Sequence, residues 1–363
     1  MIGKTLWERQ LHQRGSASAL AVTEALVVVH ERHTRLVCLD RHDCSVRWDV
    51  PIGTWPRAVV VAGDRCLVLP QDTDQLFCLD LTTGSTVWRA GLPQYSGHVV
   101  ATAETVVVGG WRGYTPMFAF NLKDGRLLWR TQRRMATVRP LPWNDGMLLG
   151  DGSEAWSMDP RDGRELDRWR LPEPLVETDD HPAFTMIGPD RCLVSCGPRS
   201  VASIRLSSGL VERFFHHDAD LSSSAAEFTG GVVWLRERGA GYLAVDPEDG
   251  SALWNVDVRQ PLVGEVVRDG EGFVVAGAGG ALFRLRSDGH ILERSSSVTR
   301  VAALRDLGAG KMLMVTRGTL RMIAIDHACE VDPVSTTPGP GLPGFQTSGQ
   351  LRRLGGSMAP KLR

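Results

Sequence analysis

Two short clusters hold most of the side chains able to do chemistry. One is Asp179-Asp180-His181; the other is His216-His217-Asp218, with Asp220 two positions on. Carboxylates and imidazoles of this kind suit a divalent metal if they meet in space, or a His held by a carboxylate as a general base. The metal-ligand candidates are Asp179, Asp180, His181, His216 and His217; the candidates for acid–base catalysis are His181, His216, His217 and Asp218. A second group is aromatic and cationic: Trp55, Tyr95, Trp111, Arg112, Arg133 and Arg134. Trp, Tyr and Arg carry much of the energy of protein interfaces, so this group reads as a partner-binding surface. Other chemistries lack their residues. Cys192 and Cys196 lie four apart, without the second pair that a zinc site needs. No Gly-rich phosphate loop, G-x-S-x-G elbow or HExxH is present. The seven Cys, an odd number, read as reduced, small, buried residues.

A recurring unit must position both groups. Gln75 to Trp88, QLFCLDLTTGSTVW, reads as a strand ending at Asp80, a tight turn, and a second strand carrying Trp88. The pattern returns in LVCLDRHDCSVRW ending at Trp48, FAFNLKDGRLLW at Trp129 and YLAVDPEDGSALW at Trp254. An Asp or Asn closing a strand accepts hydrogen bonds from N–H groups two residues on. The Gly four positions later supplies a positive φ. The Trp brings a large apolar face and an indole N–H that needs an acceptor. The residue two before the Asp is small (Cys38, Cys78, Ala119, Ala244), leaving room for a ring; Phe283 is the exception.

The turn position recurs at Gly3, Cys44, Gly84, Gly125, Gly163, Gly209, Gly250, Gly289 and Glu330. A spacing of roughly forty residues is that of four-stranded propeller blades. The expected fold is an all-β, eight-bladed propeller. Seven blades is the alternative, if the short interval Gly125–Gly163 or the long one Gly163–Gly209 conceals a lost strand. The Trp position degenerates to Asp167, Arg213 and Glu293 in three repeats, with Trp169 as a candidate substitute in the fourth. Gly3 to Trp7 forms the second half of a repeat and TLRMIAID the first half of another. The N-terminal strand is therefore expected to complete the last blade and leave no open edge.

The pattern resembles the β-propeller repeats of the pyrroloquinoline-quinone-like family, whose motif runs roughly A-x-D-x-x-T-G-x-x-x-W, over about residues 1 to 330. That family includes quinoprotein dehydrogenases, outer-membrane assembly lipoproteins and binding scaffolds. In its dehydrogenases a vicinal disulfide, a carboxylate–amide calcium site and a stacking Trp hold the quinone. This chain has no adjacent Cys pair and is far shorter, so no cofactor, and in particular no quinone, is expected.

The 363 residues suit one large β-domain over 1–330. Residues 331–363, rich in Pro, Gly and Ser and carrying Arg352, Arg353, Lys361 and Arg363, read as a disordered basic tail. Lys+Arg 41 against Asp+Glu 42 gives no pull toward nucleic acid. No apolar run is long enough to span a membrane. The opening residues lack a charged region followed by an apolar one, from which a cytoplasmic location is expected.

In a propeller, the links between blades and the turns between second and third strands gather on one face. That rim is expected to carry the aromatic–arginine group on one half and the Asp/His clusters on the other, with His98, Tyr114, Arg139, Arg236 and Arg238 beside them. Two functions follow. The first is a non-catalytic, monomeric scaffold that binds a protein or peptide at this rim. The second is a biosynthetic lyase, hydrolase or cyclase using a metal or His–Asp arrangement there.

Overall fold

The computed structural model describes residues 2–325 except 18, 55, 94–95, 111–115, 132–138, 177–182, 222–225, 239–240 and 297–298. The expected tail at 331–363 lies outside them. The described chain forms eight antiparallel four-stranded sheets arranged as an eight-bladed propeller, which decides against seven. In each blade the strands run A, B, C, D from the axis outward. Blade 1 comprises Leu20–Val22, Leu26–Glu31, Arg35–Asp40 and Val46–Pro51; blade 2 comprises Pro56–Ala62, Arg65–Pro70, Gln75–Asp80 and Thr86–Gly91. These bounds fall within a few residues of the sequence expectation, and the B and C strands are buried on both faces, as their continuous apolar runs require.

Each repeat motif does one job: it docks its blade on the next. In the turn, the Asp80 carboxylate accepts hydrogen bonds from the N–H groups of Thr82 (3.0 Å) and Thr83 (2.8 Å), and Gly84 N donates to Asp80 O (2.8 Å). Gly84 sits at φ 73°. A β-carbon there would lie 2.7 Å from the ring of Trp48, which belongs to the preceding blade. The Trp48 indole donates to Leu81 O at 2.8 Å, so the ring lies on the turn and its only polar atom is satisfied. Trp88 repeats this on Gly125 and Leu122 O, and Trp129 on Gly163 and Pro160 O.

The C–D pairing explains how the Trp reaches its neighbour. Cys38 pairs with Trp48, Cys78 with Trp88, Ala119 with Trp129 and Ala244 with Trp254, so the small residue is the cross-strand partner of the large ring. Beside each pair the register shifts by a β-bulge. A bulge increases local twist and re-aims a side chain, here toward the next blade.

The degenerate repeats solve the same problem with other residues. Trp169 is buried against Gly209, its nitrogen 3.6 Å from where a β-carbon would stand, and takes the docking place in blade 4. In blade 5 two residues share the task. Phe214 supplies the buried ring over Gly250, and the Arg191 guanidinium, 5.3 Å from that ring, donates to Pro247 O (2.6 Å) and Glu248 O (3.2 Å). In blade 7 Phe283 fills the small-residue position, buried in a cluster with Trp234 and Phe273.

The N-terminal strand closes the ring as expected. Gly3–Gln10 pairs antiparallel with Thr319–Ile325, with Thr5 opposite Ile323 and Trp7 opposite Met322, and becomes strand D of blade 8. Trp7 donates to Arg41 O of blade 1 (3.0 Å), and Arg9 forms a two-pronged pair with Glu31, whose carboxylate is 2% exposed. The seam therefore uses the indole-to-turn contact made by Trp48, Trp88 and Trp129, with a nearly buried ion pair added.

Gly84→Ala should destabilise the chain by roughly 2–5 kcal/mol, from left-handed backbone strain and overpacking against Trp48. Trp48→Phe should cost about 1–3 kcal/mol by leaving Leu81 O without its donor. Urea unfolding midpoints measure both.

Candidate functional site

The links that enter each blade and the B-to-C turns gather at one end of the axis, around an open cavity of about 1110 Å³. Its walls come from the innermost strands, including Val263–Glu265 of blade 7 and Val301–Arg305 of blade 8, and from turn residues such as Gln71, Ala278 and Arg317. All its cationic side chains other than histidine are arginines, seven of them against two glutamates, Glu227 and Glu265. The two glutamates are matched within the wall: Glu265 pairs with Arg305, and Glu227 lies 3.9 Å from Arg236. Arg236 also donates to Gly264 O and lies 5.4 Å from the Tyr242 ring.

Glu227 opens strand A of blade 6 and accepts a hydrogen bond from Val266 N at 2.5 Å. Burial pushes its carboxyl up from 4.5 to about 7; the Val266 N–H and the Arg236 charge oppose that shift without cancelling it. His30 lies between Gln13 Nε2 and Gly53 O, each 2.9 Å from one ring nitrogen, and burial lowers its pKa. Both groups favour their neutral forms, so the cavity's positive character rests on arginine.

The described Asp/His candidates do not line the cavity. His216 ends strand D of blade 5, on the circumference. Its Nδ1 is 2.9 Å from the Ser200 hydroxyl, which donates at 2.6 Å to Glu173. Having given its single proton to Glu173, Ser200 accepts from His216, which fixes the Nδ1–H tautomer. Ser200 is 1% exposed and stands between acid and imidazole, not at the end of a relay, so it is not disposed to act as a nucleophile. His217 stacks on Phe215, ring centres 5.9 Å apart, and its Nε2 is 2.5 Å from Glu237. Asp218 is exposed, while Asp220 accepts from Arg199 (2.9 Å) and lies 3.6 Å from Arg238. Among the described residues no three His, Cys, Asp or Glu side chains converge as a metal site. Asp179, Asp180 and His181 lie outside the described residues, as do Trp55, Tyr95, Trp111, Arg112, Tyr114, Arg133 and Arg134.

Two other rim expectations have definite places. Arg139 and Arg236 line the cavity. His98 does not: it is buried in strand A of blade 3 against Gly109, and burial, with the Arg139 charge, lowers its imidazole to about 3. The described thiols other than the half-buried Cys44 are likewise core groups; burial raises Cys38 to about 11 and Cys192 to about 12, which suppresses the reactive thiolate. Sequence reasoning missed Glu173, Ser200 and Glu237, whose partners lie 16 or more residues away, and the cavity arginines Arg14, Arg300 and Arg317. The signal for those arginines was their place in links and B-to-C turns, the positions that gather at the axis.

The family described as outer membrane protein assembly factor BamB, built from pyrroloquinoline-quinone-like repeats, matches residues 2–73, 51–212 and 213–328. The chain belongs to that family. A curated relative, the outer membrane protein assembly factor BamB of Burkholderia pseudomallei (strain K96243), is 27% identical over 157 residues, 39% of this chain and 40% of the relative. The match thus spans about two fifths of that relative's length. Among solved structures, BamB from Moraxella catarrhalis superposes with a TM-score of 0.73 at 16% identity, covering 91% of this chain and 99% of that one. The computationally designed Ika8 protein gives 0.71 at 14% identity, covering 89% and 100%, and a europium-containing methanol dehydrogenase gives 0.67 at 10%, covering 88% and 93%. At these identities the superpositions establish the fold, and nothing of the dehydrogenase's chemistry carries over.

The family corrects one expectation. A cytoplasmic location was inferred from the opening residues, but the relatives are outer membrane assembly factors, whose place is the cell envelope. Residues Gly3–Gln10 are the closing strand of a blade, so their composition follows the needs of sheet packing and carries no information on location.

Because Glu227 holds its proton more tightly when folded, its stabilising contribution is complete below about pH 4.5 and is lost as pH rises through about 7. The melting temperature should fall more steeply between pH 5 and 8 in the native chain than in Glu227→Gln. Metal analysis of the purified chain and of the His216→Ala/His217→Ala double variant should give the same substoichiometric content for both.

Proposed function

We propose that this chain is a non-catalytic, monomeric propeller scaffold of outer-membrane assembly, which binds a protein or peptide partner through the loops around the axial opening. The observation that carries this reading is the family match across residues 2–328, in a chain where all eight blades are intact. The site chemistry agrees with it. Among the described candidates, His216 and His217 are each engaged by a separate partner and Asp218 is exposed, as structural links between strands would leave them. The axial face presents a concave, charged wall, and the sequence supplies Trp55, Tyr95, Trp111, Arg112, Arg133 and Arg134 in the stretches between strands, the residue types that anchor interfaces.

Affinity capture of the tagged chain from crosslinked cell envelopes tests this. A reproducible protein partner should be recovered. Trp111→Ala with Arg112→Ala should lower recovery at least tenfold without shifting the melting temperature, whereas Leu166→Ser on the outer strand of blade 4 should leave recovery unchanged. Equal recovery by the rim variant would place the contact elsewhere, and no reproducible partner would count against the scaffold.

A further inference from the structure

Among the described residues, the axial cavity is lined by more arginine than acid. Its two glutamates are each matched by an arginine of the same wall, Arg305 and Arg236, which leaves a surplus of arginine around the opening. Three of the remainder, Arg14, Arg300 and Arg317, are exposed and make no ion pair with a described residue. They belong to neighbouring stretches of the rim: the link into blade 8 carries Arg300, the B-to-C turn of blade 8 carries Arg317, and the link into blade 1 carries Arg14. Like charges gathered in a concave, low-dielectric wall focus the field into the opening. This local charge is invisible in the whole chain, whose formal net charge is −1.

The form of the cavity separates the ligands that such a field would attract. Its volume of about 1110 Å³ is at the upper limit of small-molecule sites, which run to about 1,000 Å³ and hold the ligand with a few buried, convergent polar groups. Here Arg236 and Arg305 are engaged by the wall itself, while the three that make no ion pair with a described residue are exposed and stand on separate loops. The wall beside them is small and apolar at Ala278 of a B-to-C turn and at Ala302 and Ala303 of an innermost strand. An extended segment with several carboxylates matches exposed arginines set on three separate loops. Guanidinium forks bind carboxylates bidentately, which favours arginine over lysine in this role.

We infer that the axial opening receives an acidic segment of the partner protein, with its carboxylates on Arg14, Arg300 and Arg317. This inference rests on the scaffold reading above and specifies which surface of the scaffold makes the contact.

Titration calorimetry on the full chain with a blocked hexaglutamate peptide tests it. Binding is expected, weakening as salt rises from 0.05 to 0.3 M, about the range over which screening tightens, and hexalysine should not bind. The triple reversal Arg14→Glu/Arg300→Glu/Arg317→Glu should weaken hexaglutamate at least tenfold. A control reversal of the same net charge on C-to-D turns at the opposite face, Arg126→Glu/Arg164→Glu/Arg286→Glu, should change it less than twofold. If the triple variant fails to melt cooperatively, Arg300→Gln alone should still weaken binding several-fold. Absence of hexaglutamate binding, equal loss in both triple variants, or citrate or inorganic phosphate binding as tightly as hexaglutamate would overturn the inference, the last by assigning a small-anion site. Partner capture keeps the two proposals apart. A partner recovered equally by the native chain and the funnel triple variant would leave the scaffold standing and overturn the acidic-segment contact, whereas loss confined to the funnel variant supports both.

Discussion

The contact on which this propeller depends is a tryptophan ring lying on the glycine turn of the next blade. Three features of the repeat serve it. The Asp or Asn holds the turn, the glycine removes the β-carbon that would occupy the ring's place, and the small cross-strand residue with its bulge aims the ring outward. The indole N–H then satisfies a carbonyl that the turn would otherwise leave buried and unpaired, so the apolar face and the polar atom are both accommodated. A blade's sheet faces are apolar on both sides and cannot be stable alone; a junction repeated around the axis lets each sheet cover the next.

The junction is chemical rather than tied to one residue type. Blade 5 divides the tasks between Phe214, which supplies the ring, and Arg191, which supplies the donor. At the seam, Trp7 makes the ordinary contact although its strand comes from the other end of the sequence, and the Arg9–Glu31 pair reinforces the joint. A nearly buried ion pair contributes little net stability over an apolar contact, but breaking one partner of it is destabilising. Its position at the closing joint marks the place where an open edge would otherwise remain.

A rigid ring of this kind sorts residues by strand. Those on links and B-to-C turns face the axial opening; those at the ends of outer strands face the circumference. His216 ends an outer strand and His217 begins the link into blade 6; neither lines the cavity, and the two neighbouring imidazoles engage separate partners, Ser200 and Glu237, instead of one ligand. The arginines fall in the first class and converge although they come from opposite ends of the chain. Glu227 shows the same placement acting on a single group: at the start of an inner strand it is desolvated enough to hold its proton near neutral pH.

The sequence by itself determined the repeat, its period, the all-β class, the turn chemistry and the completion of the last blade by the first strand. All of these are local patterns, read over a dozen residues and then counted. It also placed Trp169 as a substitute, because a large ring near its expected position is itself a local sign. Only the tertiary structure decided the rest. It settled eight blades against seven, revealed that Phe214 and Arg191 act as a pair, moved His98 from the rim into the core, and gathered the arginines of distant links around one opening. The physical reason is the same in each case: these properties belong to neighbours brought together by the curvature of the ring, and curvature is fixed by the packing of whole blades, not by any stretch of residues within one.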